Sequence, residues 1–136
     1  MIQDVHASRV VLDCGVPLVL VPCMGVASHL ITTKAEIDAR LKDCGEIGRY
    51  LAETCASCSD DHCAYSRVIW DISTNGWLLD ESRVPCRITH SPILNDGGTF
   101  SFDGSRHLIK MAHHVRRDAV FRNLFDRVRN LAGTRG

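Results

Sequence analysis

The chain alternates helical and extended patterns and is expected to fold as an α/β protein. Three observations predict this. A helix-spaced stretch ending at Gly15 runs directly into the apolar run 16–21. Several helical stretches then precede a group of short strand-like segments. The chain closes on an amphipathic helix. Parallel strands are too few for a complete doubly wound sheet, so the sheet is expected to be incomplete.

In order, Val5, Ala7, Val10, Val11 and Cys14 recur at helical spacing, and Gly15 suits the position after a helix end. Val16-Pro17-Leu18-Val19-Leu20-Val21-Pro22 is apolar at consecutive positions, the pattern of a strand buried on both faces in a parallel sheet. Helix and strand joined this way are half of a β-α-β crossover whose preceding strand is missing. Thr33 and Glu36 have capping-box spacing and open a helix through Leu41. A second helix starts at Gly45 and ends near Cys58, and Ser59-Asp60-Asp61-His62 is a loop. Asp71 begins a helix through Trp77 to Asp80. Val84 to Ile88 reads as a short strand, and Asn95-Asp96-Gly97-Gly98 turns from it into Thr99 to Phe102, which alternates with period two. Another alternating segment lies within Arg106 to Val115. Ala119, Phe121, Leu124, Phe125, Val128 and Leu131 form the apolar stripe of the last helix.

A length of 136 residues predicts one domain with a core of its own. The chain is 45% hydrophobic and 24% charged, as soluble globular proteins are. The 16 basic and 16 acidic residues leave no net field to recruit nucleic acid or a membrane. From Ser101 onward eight Lys/Arg face three acids, which reads as a solvated helix face or a subunit contact, since no aromatic interleaving supports RNA binding. The longest apolar run, Val16 to Val21, is far short of a membrane span. Met1-Ile2-Gln3-Asp4 lacks the basic and apolar regions of a signal peptide, so a cytoplasmic location is expected.

The seven cysteines are an odd number, which argues against a disulfide framework. Cys55, Cys58, His62 and Cys63 carry enough thiolate and imidazole for one zinc ion. The usual second ligand pair is absent, and the bland alternative is a helix end whose small residues are Cys. There is no P-loop and no dinucleotide glycine fingerprint. Ser28-His29 and Cys63 build no nucleophile-base framework. His113 and His114 fall on an expected strand and point to opposite faces, so they and His107 share no metal.

Asp71 stands out. It sits within Val68-Ile69-Trp70-Asp71-Ile72-Ser73, and a carboxylate buried there without a partner would be prohibitively costly. It therefore needs a helix N-terminus, a hydrogen-bonded partner or a metal ion. Its bland reading is an N-cap or first-turn acid. At the end of a strand in an α/β fold it also occupies the place where ligands bind, and a carboxylate there suits a hard cation.

Gln3-Asp4-Val5-His6-Ala7-Ser8-Arg9-Val10-Val11-Leu12-Asp13-Cys14-Gly15-Val16-Pro17-Leu18, followed by Pro22-Cys23-Met24-Gly25-Val26, resembles the inosine-uridine preferring nucleoside hydrolases. So do Val68-Ile69-Trp70-Asp71-Ile72, Ser91-Pro92-Ile93-Leu94, the segment Phe102-Asp103-Gly104-Ser105-Arg106-His107 and the closing helix. The resemblance covers nearly the whole chain, in family order, but only the C-terminal part of that family. It implies one partial domain over residues 1–136, a nucleoside-hydrolase-like open sheet with flanking helices. It also implies hydrolysis of the N-glycosidic bond of ribonucleosides, and a part in purine and pyrimidine salvage. In the family a calcium ion holds the ribose hydroxyls and the attacking water, and Asp71 matches a late calcium-ligand Asp.

Two departures from the family pattern follow. Many members have His immediately before this Asp, proposed to protonate the leaving base. Here it is Trp70, whose indole has no usable acidic proton but can stack on a base. His62 and Tyr65, in the preceding segment, are candidates for base contact. Second, the N-terminal Asp-rich loop that supplies most calcium ligands and the catalytic base is absent, and Met1 resembles an internal methionine of a longer ancestor. One Asp cannot supply the six to eight oxygens calcium takes. The chain alone is therefore expected to be inactive, either truncated or paired with a separately encoded N-terminal half, and to form a homo-oligomer. The alternative is a non-catalytic subunit or interaction module that retains the fold.

Overall fold

The computed structural model describes residues 3–133, so the reading of Met1 lies outside the described residues. Helix α1 (Val5–Asp13) starts where the Asp4 carboxylate accepts a hydrogen bond from the Ala7 N–H at 2.8 Å, satisfying a donor the first turn leaves free. After its end Gly15 adopts φ +74°, a left-handed conformation that carries no Cβ penalty in glycine. Strand β1 (Val19–Leu20) follows, then a 3₁₀ turn at Ala27–His29 and strand β2 (Ile31–Thr32). Next come helices α2 (Lys34–Leu41) and α3 (Gly45–Ala56), strand β3 (Arg67–Val68) and helix α4 (Ile72–Leu79). A 3₁₀ turn at Glu81–Arg83 leads to strands β4 (Cys86–His90), β5 (Ile93–Leu94), β6 (Phe100–Ser101) and β7 (Leu108–Ala112), and the long helix α5 (Arg117–Gly133) ends the described chain.

The expected α/β class is found, in small open sheets. The largest has the order β1-β7-β4. β1 runs parallel to β7, pairing Val19 with Lys110 and Leu20 with Met111. β4 runs antiparallel to β7 over five residues, from Cys86↔Ala112 to His90↔Leu108. β2 and β3 form a separate antiparallel ribbon, as do β5 and β6.

Three details correct the sequence reading. The run 16–21 is not a strand buried on both faces: only Val19 and Leu20 pair, and Val16 is 51% exposed, because β1 lies at a sheet edge. The turn at Asn95–Gly98 joins β5 to β6, not the 84–88 strand, and β4 takes β7 as its partner instead. His113 and His114 lie beyond the end of β7 and are both exposed, so strand alternation does not govern them.

Two apolar clusters hold these pieces. In the larger, Leu30, Ile37, Leu41, Ala52, Val84, Phe121 and Phe125 gather α2, α3 and the buried side of α5. Phe121 is 1% exposed, with the Phe125 ring 5.7 Å away. In the smaller, Leu12, Leu20, Leu94, Ile109 and Met111 join α1 to β1, β5 and β7. Gly48 lets α3 meet the end of α2, since a Cβ there would stand 2.2 Å from the Leu41 carbonyl oxygen. No helix among the described residues is long and apolar enough to cross a membrane.

Candidate functional site

Asp71 stands where the β2–β3 ribbon gives way to α4. The Ile69 N–H reaches the Leu30 carbonyl at 3.0 Å, extending the ribbon by one bond, and the chain then turns. Ile69 and Ile72 pack against the large core, whereas Trp70 and Asp71 are exposed, Trp70 at 38%. The expectation that Asp71 is shielded from water is thereby corrected. The apolar run straddles a strand–helix junction, and the turn directs its two central side chains outward. Asp71 does take the N-cap position of α4, but its carboxylate makes no capping hydrogen bond. Its backbone carbonyl is used instead, accepting the Thr74 hydroxyl at 2.8 Å. Ser73, 2% exposed, donates its hydroxyl to the Trp70 carbonyl at 2.8 Å and pins the turn from inside. The carboxylate is left free for solvent or a ligand.

His62 and Tyr65 come together in the loop before β3, with ring centroids 6.1 Å apart and nearly edge-on. His62 Nδ1 is buried without a hydrogen-bond partner. Tyr65 also hydrogen-bonds Arg67, whose guanidinium pKa is pushed up chiefly by that bond. Among the described residues, no hydrogen bond, ion pair or ring contact joins this pair to Trp70 or Asp71. The four residues therefore form two separate pairs, His62 with Tyr65 and Trp70 with Asp71.

Among the described residues, no three or more His, Cys, Asp or Glu side chains come together to hold a metal ion. A calcium ion takes six to eight oxygens, so this chain's own donors around Asp71 do not fit it. Among the described residues Cys55, Cys58, His62 and Cys63 are likewise not gathered into such a group. Burial, with a smaller contribution from Cys58, pushes the Cys55 thiol up.

Two arginines that set this face in place were not singled out by sequence pattern. Arg117 donates Nε–H to the Ile31 carbonyl at 2.8 Å and pairs with Glu36, which also accepts the Thr32 hydroxyl at 2.7 Å. This network ties the β2–β3 ribbon, and so the Asp71 junction, to α2 and α5. Arg106 donates to the Ser91 carbonyl at 2.7 Å and the Leu12 carbonyl at 2.9 Å and pairs with Asp13, clamping the end of α1 onto the β4–β5 connection. Glu36 had a signal, the capping-box spacing. Its side chain serves the tertiary network, while Thr33 alone caps α2 by accepting the Glu36 N–H at 3.2 Å.

No family model and no curated protein sequence matches the chain. Its structure, however, matches a plant nucleoside hydrolase with a TM-score of 0.75 over 93% of this chain, at 16% identity. The fold is that of part of a nucleoside hydrolase. The chain spans about half the length of that enzyme, 46% of it. The likeness of backbone agrees with the resemblance of motifs at the level of the nucleoside hydrolase fold, not of the inosine-uridine preferring family.

Proposed function

We propose that this chain is a nucleoside hydrolase-like portion of an N-ribosyl hydrolase acting on ribonucleosides, inactive alone, with Asp71 as one carboxylate donor to a shared calcium site. The supporting observation is the nucleoside hydrolase fold over 93% of the chain, with Asp71 exposed and unengaged at the end of the β2–β3 ribbon. A carboxylate kept free of a capping bond is available to a ligand. Trp70 beside it offers a partly exposed indole face for a base to stack on, but no proton for the leaving group. His62 and Tyr65 are assigned to base contact, and preference for inosine or uridine would rest on them. Because the chain's own donors do not complete a calcium site, the remaining ligands and the catalytic base are assigned to residues outside it. The cellular setting we assign is nucleoside salvage in the cytoplasm.

Release of ribose from inosine and uridine, followed with and without calcium, tests this reading. The purified chain is expected to show no turnover and no stoichiometric calcium in a calorimetric titration. Joined to an Asp-rich N-terminal half of this fold, it is expected to cleave nucleosides, and Asp71→Ala is expected to remove that activity. Cleavage by the isolated chain, lost in Asp71→Ala, would show the site to be complete without outside residues. An active assembly indifferent to Asp71→Ala would remove Asp71 from the site.

A further inference from the structure

We infer that Cys55 and Cys58 form a reversible dithiol–disulfide site at the end of α3, which reacts with small disulfides of the glutathione class. All seven cysteines are free thiols, and these two are held in one turn. The Cys58 N–H donates to the Cys55 carbonyl at 3.4 Å, closing the turn that ends α3. A turn closed this way keeps its end Cα atoms within about 7 Å. Disulfides span Cα separations of roughly 4.4–6.8 Å, so the backbone needs little adjustment.

The side chains are also disposed for exchange. Both thiols are partly exposed, so a reagent from solvent can reach them. The Cys58 thiol donates back to the Thr54 carbonyl at 3.2 Å, on the turn that carries Cys55. That carbonyl also accepts the Ser57 hydroxyl at 2.9 Å, so drawing Cys58 away leaves it satisfied. The Arg67 guanidinium, bonded chiefly to Tyr65, also acts electrostatically on Cys58 and Cys55. A cation beside a thiol favours the thiolate, the form that attacks. Cys55 packs against the large core, and burial, more than Cys58, pushes its thiol up while Arg67 works the other way. Cys58 is therefore assigned the first step and Cys55 the second. Cys63 stands outside this exchange, exposed in the loop beyond, where the Asp61 carboxylate holds its N–H at 2.8 Å.

The Cys58 thiolate attacks one sulfur of the small disulfide, whose S–S bond breaks to release one thiolate. The Cys55 thiol then gives up its proton, attacks the Cys58 sulfur of the mixed disulfide and expels the second thiolate. The protein loses two electrons and two protons, which leave on two small thiols. Excess small thiol reverses both steps. None of this depends on nucleoside hydrolysis, so the two readings can fail separately.

Incubation of the whole chain in mixtures of oxidised and reduced glutathione, then alkylation, trypsin digestion and mass spectrometry, tests the site. Cys55, Cys58 and Cys63 fall on one tryptic fragment, Tyr50 to Arg67. The oxidised fragment is expected to lose two hydrogen atoms and to carry its alkyl group on Cys63. Reduced glutathione should restore alkylation at Cys55 and Cys58. Cys55→Ser should leave Cys58 trapped as the mixed disulfide with glutathione, and Cys63→Ser should close as fast as the native chain. Arg67→Gln should slow oxidation about three- to tenfold at neutral pH without changing the bond formed. Circular dichroism checks that each variant keeps its helices. No disulfide within the fragment, a bond that includes Cys63, glutathione remaining on Cys58 while Cys55 is present, or a rate unmoved in Arg67→Gln would each overturn the site.

Discussion

Asp71 and Arg106 behave in opposite ways, and burial separates them. The Asp71 carboxylate is exposed and caps nothing, so Asp71→Ala should change unfolding free energy by no more than about 0.5 kcal/mol, measured in urea. A larger loss would mean that the carboxylate supports the fold. Arg106 satisfies two main-chain carbonyls and an acid at the junction of α1 with the β4–β5 connection. Arg106→Ala takes the side-chain donor from the Ser91 carbonyl and leaves the Leu12 carbonyl with the Ser91 hydroxyl, and should cost about 1–3 kcal/mol in the same assay. Asp103 supplies a pH signature. The N–H and hydroxyl of Ser105, each 2.8 Å from its carboxylate, hold its pKa below the usual carboxylate value. A depressed folded pKa contributes stability that is fully present above the unfolded value and lost as pH falls through the folded one. Urea midpoints should therefore fall with acid in and below the ordinary carboxylate range. Asp103→Asn should remove that part of the slope while keeping an acceptor for Ser105. Of these three residues only Asp71 was conspicuous in sequence, and its setting was misjudged. The run Val68–Ser73 is largely apolar, but a turn after Ile69 sends Trp70 and Asp71 outward while Ile69 and Ile72 pack on the core.

The helices were the most legible elements, because each carries its own start and stop chemistry. Asp4 and Thr33 accept bonds from the N–H groups of Ala7 and Glu36, and Gly15 follows the end of α1 with positive φ. Thr33→Ala should cost about 1 kcal/mol through loss of the α2 cap, seen as a lower thermal midpoint. Gly48→Ala pits two effects against each other. Helix propensity favours Ala by roughly 1 kcal/mol. The added Cβ would meet the Leu41 carbonyl oxygen at 2.2 Å and the Cys44 Cβ at 2.8 Å, and backbone cannot yield as a flexible side chain can. The clash should win by about 1–3 kcal/mol, and a stabilised Gly48→Ala would show that α2 and α3 are free to separate. Strands were harder to read. Those of two residues hold too little pattern to announce themselves, so β5 was missed and β1 overextended. Their limits are set by which neighbour offers a hydrogen-bonding edge.

At the scale of the molecule, the two apolar clusters divide the labour. The larger one joins α2, α3 and α5 around Phe121, and Phe121→Ala should cost about 3–5 kcal/mol, a large share of a domain's total stability, read as loss of the cooperative thermal transition toward room temperature. The smaller cluster secures α1 to a sheet that ends abruptly at β1.

By itself the sequence determined the α/β class, the five helices, the final amphipathic stripe and the order of motifs that resembles a nucleoside hydrolase. These depend on local spacing and capping, which neighbouring residues decide among themselves. Only the tertiary structure decided that β4 pairs with β7, that β1 is an open edge, that Asp71 faces water and that His62 and Tyr65 form a pair apart from it. Those outcomes depend on contacts between residues distant in the chain, and no local period records them.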